Sequence, residues 1–255
     1  MKTVQRIAAL LLAALVLRTP AGWAAESMVV AVNKDDPLFG YTDENGHLSG
    51  FSVDLARALC AAMRVDCTLT PIPFAELIPG VVEGRFDFVV ATVLRTPDRE
   101  ALVDFSDRIW RSSSTFVART GTMAEVSAET LKGKTVAVQS GSIQERFIRE
   151  VHGGVATILA FPSNIERNAA LAAGKAELML SSVTSSFTFL KSPDGADFEI
   201  IGGPLYDRGL GGDVAIPVAK GRDALRRRIN AAIDAVLRDG TYSLINSRYL
   251  PMSVY

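Results

Sequence analysis

The sequence predicts an α/β protein of two lobes joined by two chain crossings that together make a hinge. Three observations predict it. Short apolar runs suited to buried strands alternate with helical patterns in two successive series, which indicates parallel pairing within each. About 230 residues follow an N-terminal leader, too many for one small core and suited to two lobes of roughly 100 residues. A strand at residues 114–118 leaves the first series, and Val214-Ala215-Ile216-Pro217-Val218 offers a return crossing. The expected division is residues 27–117 plus 219–255 for lobe 1 and residues 118–218 for lobe 2, with the hinge crossings at the ends of lobe 2.

The leader occupies residues 1–24. A basic start (Lys2, Arg6), an apolar run over residues 7–17 and a small-residue end, Ala21-Gly22-Trp23-Ala24-Ala25, read as a secretory signal peptide. Cleavage after Ala24 puts Gly22 and Ala24 at the small positions. The apolar run is short for a bilayer, and no other segment approaches 18 uncharged apolar residues, so a soluble mature chain is expected. No cysteine lies at the junction, so no lipid anchor is expected there.

In the first series, Met28 to Val32 is an apolar run that reads as a buried strand. The loop Asn33-Lys34-Asp35-Asp36-Pro37 follows at its carboxyl end, where open α/β sheets bind ligands. Asp43-Glu44-Asn45-Gly46 is a turn, and Ser52 is the expected cap of a helix with the inner stripe Leu55, Leu59 and Met63. Strands at 67–70 and 86–92 flank a second helix at about 75–83. Cys60 and Cys67 are the whole cysteine supply, and the export signal places them in an oxidising compartment. Six intervening residues can carry the chain around a helix end and back, so a local structural disulfide is expected. The pair lacks the Cys-x-x-Cys spacing of redox centres.

The second series reads as strand 135–138, helix 142–151, strand 156–160, helix 163–173 closed by Gly174, and strand 176–180. Two helices, about 223–238 and 242–249, then rejoin the first lobe. Arg226-Arg227-Arg228 lies within the helical stripe Leu225, Ile229, Ile233 and Val236 and reads as a solvated face. A net charge of -1 and a pI near 6.2 give no electrostatic footprint for nucleic acid. Gly-x-x-x-x-Gly-Lys, His-Glu-x-x-His and Gly-x-Ser-x-Gly patterns are missing from the sequence, so no cofactor or metal is indicated and a Ser/His hydrolase is disfavoured. The two histidines, His47 and His152, fall in a turn and near a helix end.

The stretch from Gly84 to Asp107 carries the first candidate site. Phe86-Asp87-Phe88-Val89-Val90-Ala91 opens onto Thr92, then Thr96-Pro97-Asp98-Arg99, then Val103-Asp104-Phe105-Ser106-Asp107. That order delivers the fixed donor fork of Arg99 just past a strand end, where it can meet a ligand carboxylate. Taken alone, an arginine is more often a surface or salt-bridging residue. Gly141-Ser142-Ile143-Gln144-Glu145 opens a helix with a Ser-x-x-Glu capping box, whose free amides can hold an anion, though capping alone explains the pattern. Phe74 offers an apolar wall or an ordinary core aromatic, and Asp36 offers a carboxylate in the first strand's loop or a merely solvated acid.

In this order and spacing the chain after residue 27 resembles the periplasmic solute-binding proteins that feed ABC importers, in their polar amino acid branch (bacterial extracellular solute-binding protein family 3). The residues from Gly84 to Asp107 carry the resemblance. Further matches are Gly50-Phe51-Ser52-Val53-Asp54-Leu55-Ala56, Phe74-Ala75-Glu76-Leu77-Ile78-Pro79, the run from Leu131 to Ser142, and Asp239-Gly240-Thr241-Tyr242. The resemblance implies a type II periplasmic binding fold, each lobe a mixed, mostly parallel sheet flanked by helices. It assigns Thr92, Arg99 and Ser142 to a ligand carboxylate and Phe74 to the ligand's side chain, and aligns Asp36 with a position where relatives carry an aromatic lid. It also implies a monomer, with a membrane ABC permease and a small carboxylate-bearing solute as its partners. Some relatives that bind basic amino acids share the helix-to-strand disulfide.

Two departures qualify this. Relatives that bind α-amino acids pair the ligand ammonium with an acid after the second-lobe strand; here that position is Ser182, beside Ser181. A hydroxyl does not neutralise a buried ammonium. Leu94 replaces a ligand-binding hydroxyl. An organic or keto acid is therefore as consistent as an amino acid, unless Asp36 or Glu76 supplies the missing charge. The alternative functions are an enzyme similar to the cyclohexadienyl dehydratases, which use the same scaffold, and a periplasmic sensor or accessory binding protein.

Overall fold

The computed structural model describes residues 26–34, 36–251 and 253–255. The expected signal peptide lies outside the described residues. Lobe 1 begins with β1 (Ser27–Asn33), the short hairpin of β2 (Tyr41–Thr42) and β3 (Leu48–Ser49), and α1 (Phe51–Met63). It continues with β4 (Asp66–Ile72), α2 (Leu77–Val82), β5 (Phe88–Val90), α3 (Pro97–Leu102) and β6 (Val103–Ser112). Lobe 2 holds β7 (Ser114–Arg119), β8 (Thr135–Gln139), α4 (Ile143–His152), β9 (Thr157–Phe161), α5 (Asn164–Ala172), β10 (Leu178–Ser182), α6 (Val183–Leu190) and β11 (Phe198–Leu205). The chain returns to lobe 1 as β12 (Gly212–Ala219), α7 (Asp223–Arg238) and α8 (Thr241–Tyr249).

The two five-stranded sheets have the orders β4-β1-β5-β12-β6 and β11-β7-β10-β8-β9. Pairings β1–β4 and β1–β5 in the first and β8–β9 and β8–β10 in the second are parallel, as strand-helix-strand units require. The antiparallel pairings all involve β7 or β12, the strands on which the chain arrives from the other lobe. Each sheet is thus mixed and mostly parallel, as expected: four strands share a direction and only β12 in the first and β7 in the second run against them.

Those same strands move the expected lobe boundaries. Residues 114–117 belong to the second sheet, because β7 pairs with β10 from Ser114 to Ala118. Residues 214–218 belong to the first, because β12 pairs with β6 from Gly212↔Ser112 to Ala219↔Val103. The crossings therefore fall at Ser113 and at residues 206–211. An apolar run reads alike in either sheet, and only the pairing register decides its owner.

Serine 52 does not cap α1. The N-cap is Gly50, at φ 125°, and a Cβ there would meet the Phe39 carbonyl oxygen at 2.5 Å. The amides of Phe51 and Ser52 donate to the carbonyls of Leu38 and Phe39 at 2.7 and 2.9 Å, so backbone satisfies the helix start in place of a side chain. Cys60 and Cys67 are joined in a disulfide that ties the end of α1 to β4, with the Cα atoms 6.1 Å apart. Closing so short a loop constrains the unfolded chain by roughly 2.5 kcal/mol in the chain-entropy model.

The larger core of lobe 1 packs α1, α7 and α8 on one sheet face, around Phe51, Leu55, Leu59, Trp110, Ile229 and Ile233. Tyr242, from the Asp239-Gly240-Thr241-Tyr242 motif, sits edge-on to Phe51 and donates its hydroxyl to the Ile109 carbonyl at 2.7 Å, so a buried phenol is satisfied. On α7 the basic run stays on the outer face, where Arg226 meets Asp223 and Arg228 meets Glu26, each at 2.8 Å.

Candidate functional site

The carboxyl ends of β1 and β5 in lobe 1 and of β8 and β10 in lobe 2 converge on a cavity between the lobes. Its walls include Phe74, Thr92, Leu94 and Arg99 from lobe 1 and Gln139, Ser142, Asn164, Arg167, Ser181 and Ser182 from lobe 2. The enclosed space is about 30 Å³. The lobes are in contact around it. Asn164 donates to Asp36 Oδ1 at 2.8 Å, Arg146 on α4 forms an ion pair with Asp98 on α3, and Ile143 joins the lobe 1 core.

Arg99 is carried on α3, whose start is set by Thr96 and by Pro97 in the first turn. Its Nη1 donates to the Leu94 carbonyl at 2.9 Å, and its guanidinium carbon lies 5.6 Å from the centre of the Phe74 ring. No carboxylate pairs with it among the described residues. The residue as a whole is partly exposed, but its guanidinium is desolvated, and that desolvation lowers its pKa to about 10. A cation held this way favours an arriving anion.

Phe74 begins a 3-10 turn, Phe74–Glu76, that leads into α2, and it is buried against both the cavity and the lobe 1 core. Thr92 Oγ1 donates to Asp36 Oδ2 at 3.3 Å. Asp36 is only 1% exposed, so it is not a solvated loop acid. Its oxygens accept from Asn33, Thr92 and Asn164, two of which line the cavity. Burial raises its pKa, against the opposing pull of Asn164, Arg167, Asn33 and Thr92.

Ser142 caps α4: its Oγ accepts from the Glu145 amide at 3.1 Å and donates to the Gln139 carbonyl at 2.6 Å. Glu145 reaches back to the Gly141 amide at 2.8 Å, one residue earlier than in the standard capping box. The first amides of α4 remain the orphan donors that a helix start leaves. Ser182 is also a cap; its Oγ accepts from the Ser185 amide and lies 3.2 Å from Thr184 Oγ1. Leu94, noted as a departure, closes part of the wall as an apolar surface.

The residue the sequence did not single out is Arg167, on α5 and 2% exposed. Its donors reach Asn164 Oδ1 at 2.5 Å, Asn168 Oδ1 at 2.8 Å and Ser185 Oγ at 3.0 Å. Burial lowers its pKa to about 10, and Asp36 opposes that shift. Gln139 and Ser181 were missed as well; both are buried, and Gln139 Nε2 and Ser181 Oγ have no hydrogen-bond partner. Glu76, weighed as a source of negative charge, instead meets Arg85 at 3.4 Å and does not line the cavity.

Two α/β lobes clasping a polar cavity at their strand ends define a type II periplasmic binding fold. The model of the bacterial extracellular solute-binding proteins, family 3, matches residues 28–252, and the chain belongs to that family. It is similar to the L-arginine-binding protein of Pseudomonas aeruginosa, with 31% identity over 96% of this chain and 95% of that one. The lysine/arginine/ornithine-binding periplasmic protein of Escherichia coli is 29% identical over 92% of each chain. Among solved structures, an ancestral arginine-binding protein bound to arginine superposes with a TM-score of 0.80 at 30% identity, covering 89% of this chain and 99% of that one. The ancestral amino acid-binding protein AncCDT-1, a precursor of cyclohexadienyl dehydratase, gives 0.77 at 25% identity, covering 88% of this chain and 95% of that one.

Proposed function

We propose that the chain is the periplasmic substrate-binding subunit of an ABC importer, which captures a small carboxylate-bearing solute between its lobes by hinge closure and presents it to a permease in the inner membrane. The observation that carries this is Arg99, a desolvated guanidinium without a counter-ion at the interlobe cavity. Thr92 and Phe74 flank it from lobe 1, and Ser142 with the start of α4 faces the same space from lobe 2. An anion held by both lobes stabilises the closed form by its differential affinity for that form.

A binding role without catalysis fits the relatives named above as binding proteins. It also fits the cavity, on whose wall no acidic side chain lies among the described residues to serve as a placed general acid. The leader over residues 1–24 is consistent with export, and the periplasmic name of the Escherichia coli relative points the same way.

A thermal-shift screen over amino acids, 2-oxo acids and dicarboxylates, followed by small-angle scattering with any hit, tests the function. A compound that raises the melting temperature and reduces the radius of gyration is expected. Turnover of a prephenate-like acid would instead identify an enzyme.

A further inference from the structure

Among the described residues that line the cavity, the charged side chains are both guanidiniums, Arg99 and Arg167, and several of the polar groups left without a protein partner can donate. Arg99 makes one hydrogen bond, to the Leu94 carbonyl, although its guanidinium carries five N–H groups. Gln139 Nε2 and Ser181 Oγ make none, although the two residues are 6% and 1% exposed. Each lines the cavity, and so does Arg167, a second guanidinium with a purely donor chemistry. Asp36, whose partners Thr92 and Asn164 line the cavity, already accepts from Asn33, Thr92 and Asn164.

From this donor-rich lining we infer that the cleft selects a small organic acid of the 2-oxo acid class over the matching α-amino acid, with Gln139, Ser181 and Arg167 as specificity-determining residues. The inference rests on the proposed anchoring of a carboxylate by Arg99. A 2-oxo acid presents only oxygen acceptors, so its carboxylate meets Arg99 while its 2-oxo oxygen accepts from Gln139 Nε2 and the Ser181 hydroxyl. An α-ammonium in the same place brings three donors and a positive charge into a space that, among the described residues, already holds two guanidiniums against one carboxylate. The hydroxyls of Ser181 and Ser182 do not neutralise it. A cationic side chain adds further repulsion.

Isothermal titration of the purified protein with three matched pairs decides the matter: pyruvate against L-alanine, 2-oxoisovalerate against L-valine and 2-oxoglutarate against L-glutamate, with L-arginine as a seventh probe. At least one 2-oxo acid is expected to bind about 100-fold more tightly than its amino partner, two unfavourable contacts of about tenfold each. Gln139→Leu is expected to weaken that 2-oxo acid about tenfold, and Ser181→Ala serves the same purpose if the first variant fails to melt cooperatively. Binding of an amino acid, L-arginine included, as tightly as or more tightly than every 2-oxo acid overturns the inference, as does binding of none of the seven. If an amino acid binds and Arg99→Ala abolishes it, the proposed function stands and only the ligand class falls. If a 2-oxo acid binds and Arg99→Ala leaves it unchanged, the anchoring itself is wrong.

Discussion

Asp36 of lobe 1 accepts a 2.8 Å hydrogen bond from Asn164 of lobe 2, and both residues are almost fully buried. That bond joins the two lobes directly and so needs them in contact. It connects the loop after β1 to the first residue of α5, and through Asn164 Oδ1 it extends to the Arg167 guanidinium. The pair is therefore an interlobe contact, and the proposed hinge closure makes it one that forms as the cleft closes.

Replacing Asn164 by Ala removes the lobe 2 end of this contact and leaves Asp36 with one donor fewer. Losing a charge-assisted hydrogen bond of this kind costs about 1.5–3 kcal/mol. Ligand affinity is expected to fall by roughly tenfold or more, with a larger radius of gyration in the unliganded protein by small-angle scattering. Unchanged scattering and unchanged affinity would show that the contact does not favour closure.

Asp36 also predicts a pH dependence. Its carboxyl is held above its ordinary value of 3.8 by burial, so the folded chain binds this proton more strongly than the unfolded chain does. Stability from this group is present at low pH and declines as pH rises from 3.8 through the raised value. Asp36→Asn carries no charge at any pH. The melting temperature of the variant relative to the parent should climb across that window and then level off, and a constant difference from about pH 4 to pH 7 argues against a raised carboxyl.

Gly141 sits at φ +73°, where a Cβ would come within 3.0 Å of Ala75 on the opposite lobe. Gly141→Ala therefore strains the backbone and pushes against the closed cleft at once. Lower melting temperature and weaker ligand binding should appear together. A variant with normal affinity would mean that the lobes close without this approach.

Ser182 caps α6 at the position where relatives that bind α-amino acids were expected to carry an acid. Ser182→Asp keeps a side chain able to cap and adds a negative charge on the cavity wall. Affinity for at least one α-amino acid is expected to rise by about tenfold in calorimetry. No gain for any of them would remove Ser182 as the reason for discrimination.

Much of the site was legible because its lobe 1 residues lie in short, strongly ordered strings. Thr92 and Arg99 follow one strand within a few residues, and Phe74 leads directly into α2, so their approach to one strand end is nearly local. Ser142 was visible through Ser-x-x-Glu. The same pattern recurs at Ser163 and Glu166, where Ser163 Oγ accepts from the Glu166 amide at 3.1 Å and caps the helix that carries Asn164 and Arg167. Arg167 escaped notice because a charge on a short helix reads as a solvated face, whereas its guanidinium is held by Asn164, Asn168 and by Ser185 from a separate helix. The crossings escaped for a related reason: β7 and β12 are apolar enough to serve either sheet, and only long-range pairing assigns them.

Calorimetry of Arg99→Ala, with whichever ligand the parent protein binds, measures the anchor directly. The account predicts no detectable binding together with a cooperative melt and intact circular dichroism, since Arg99 makes only one hydrogen bond and one ring contact within the fold. An affinity equal to that of the parent protein would contradict it.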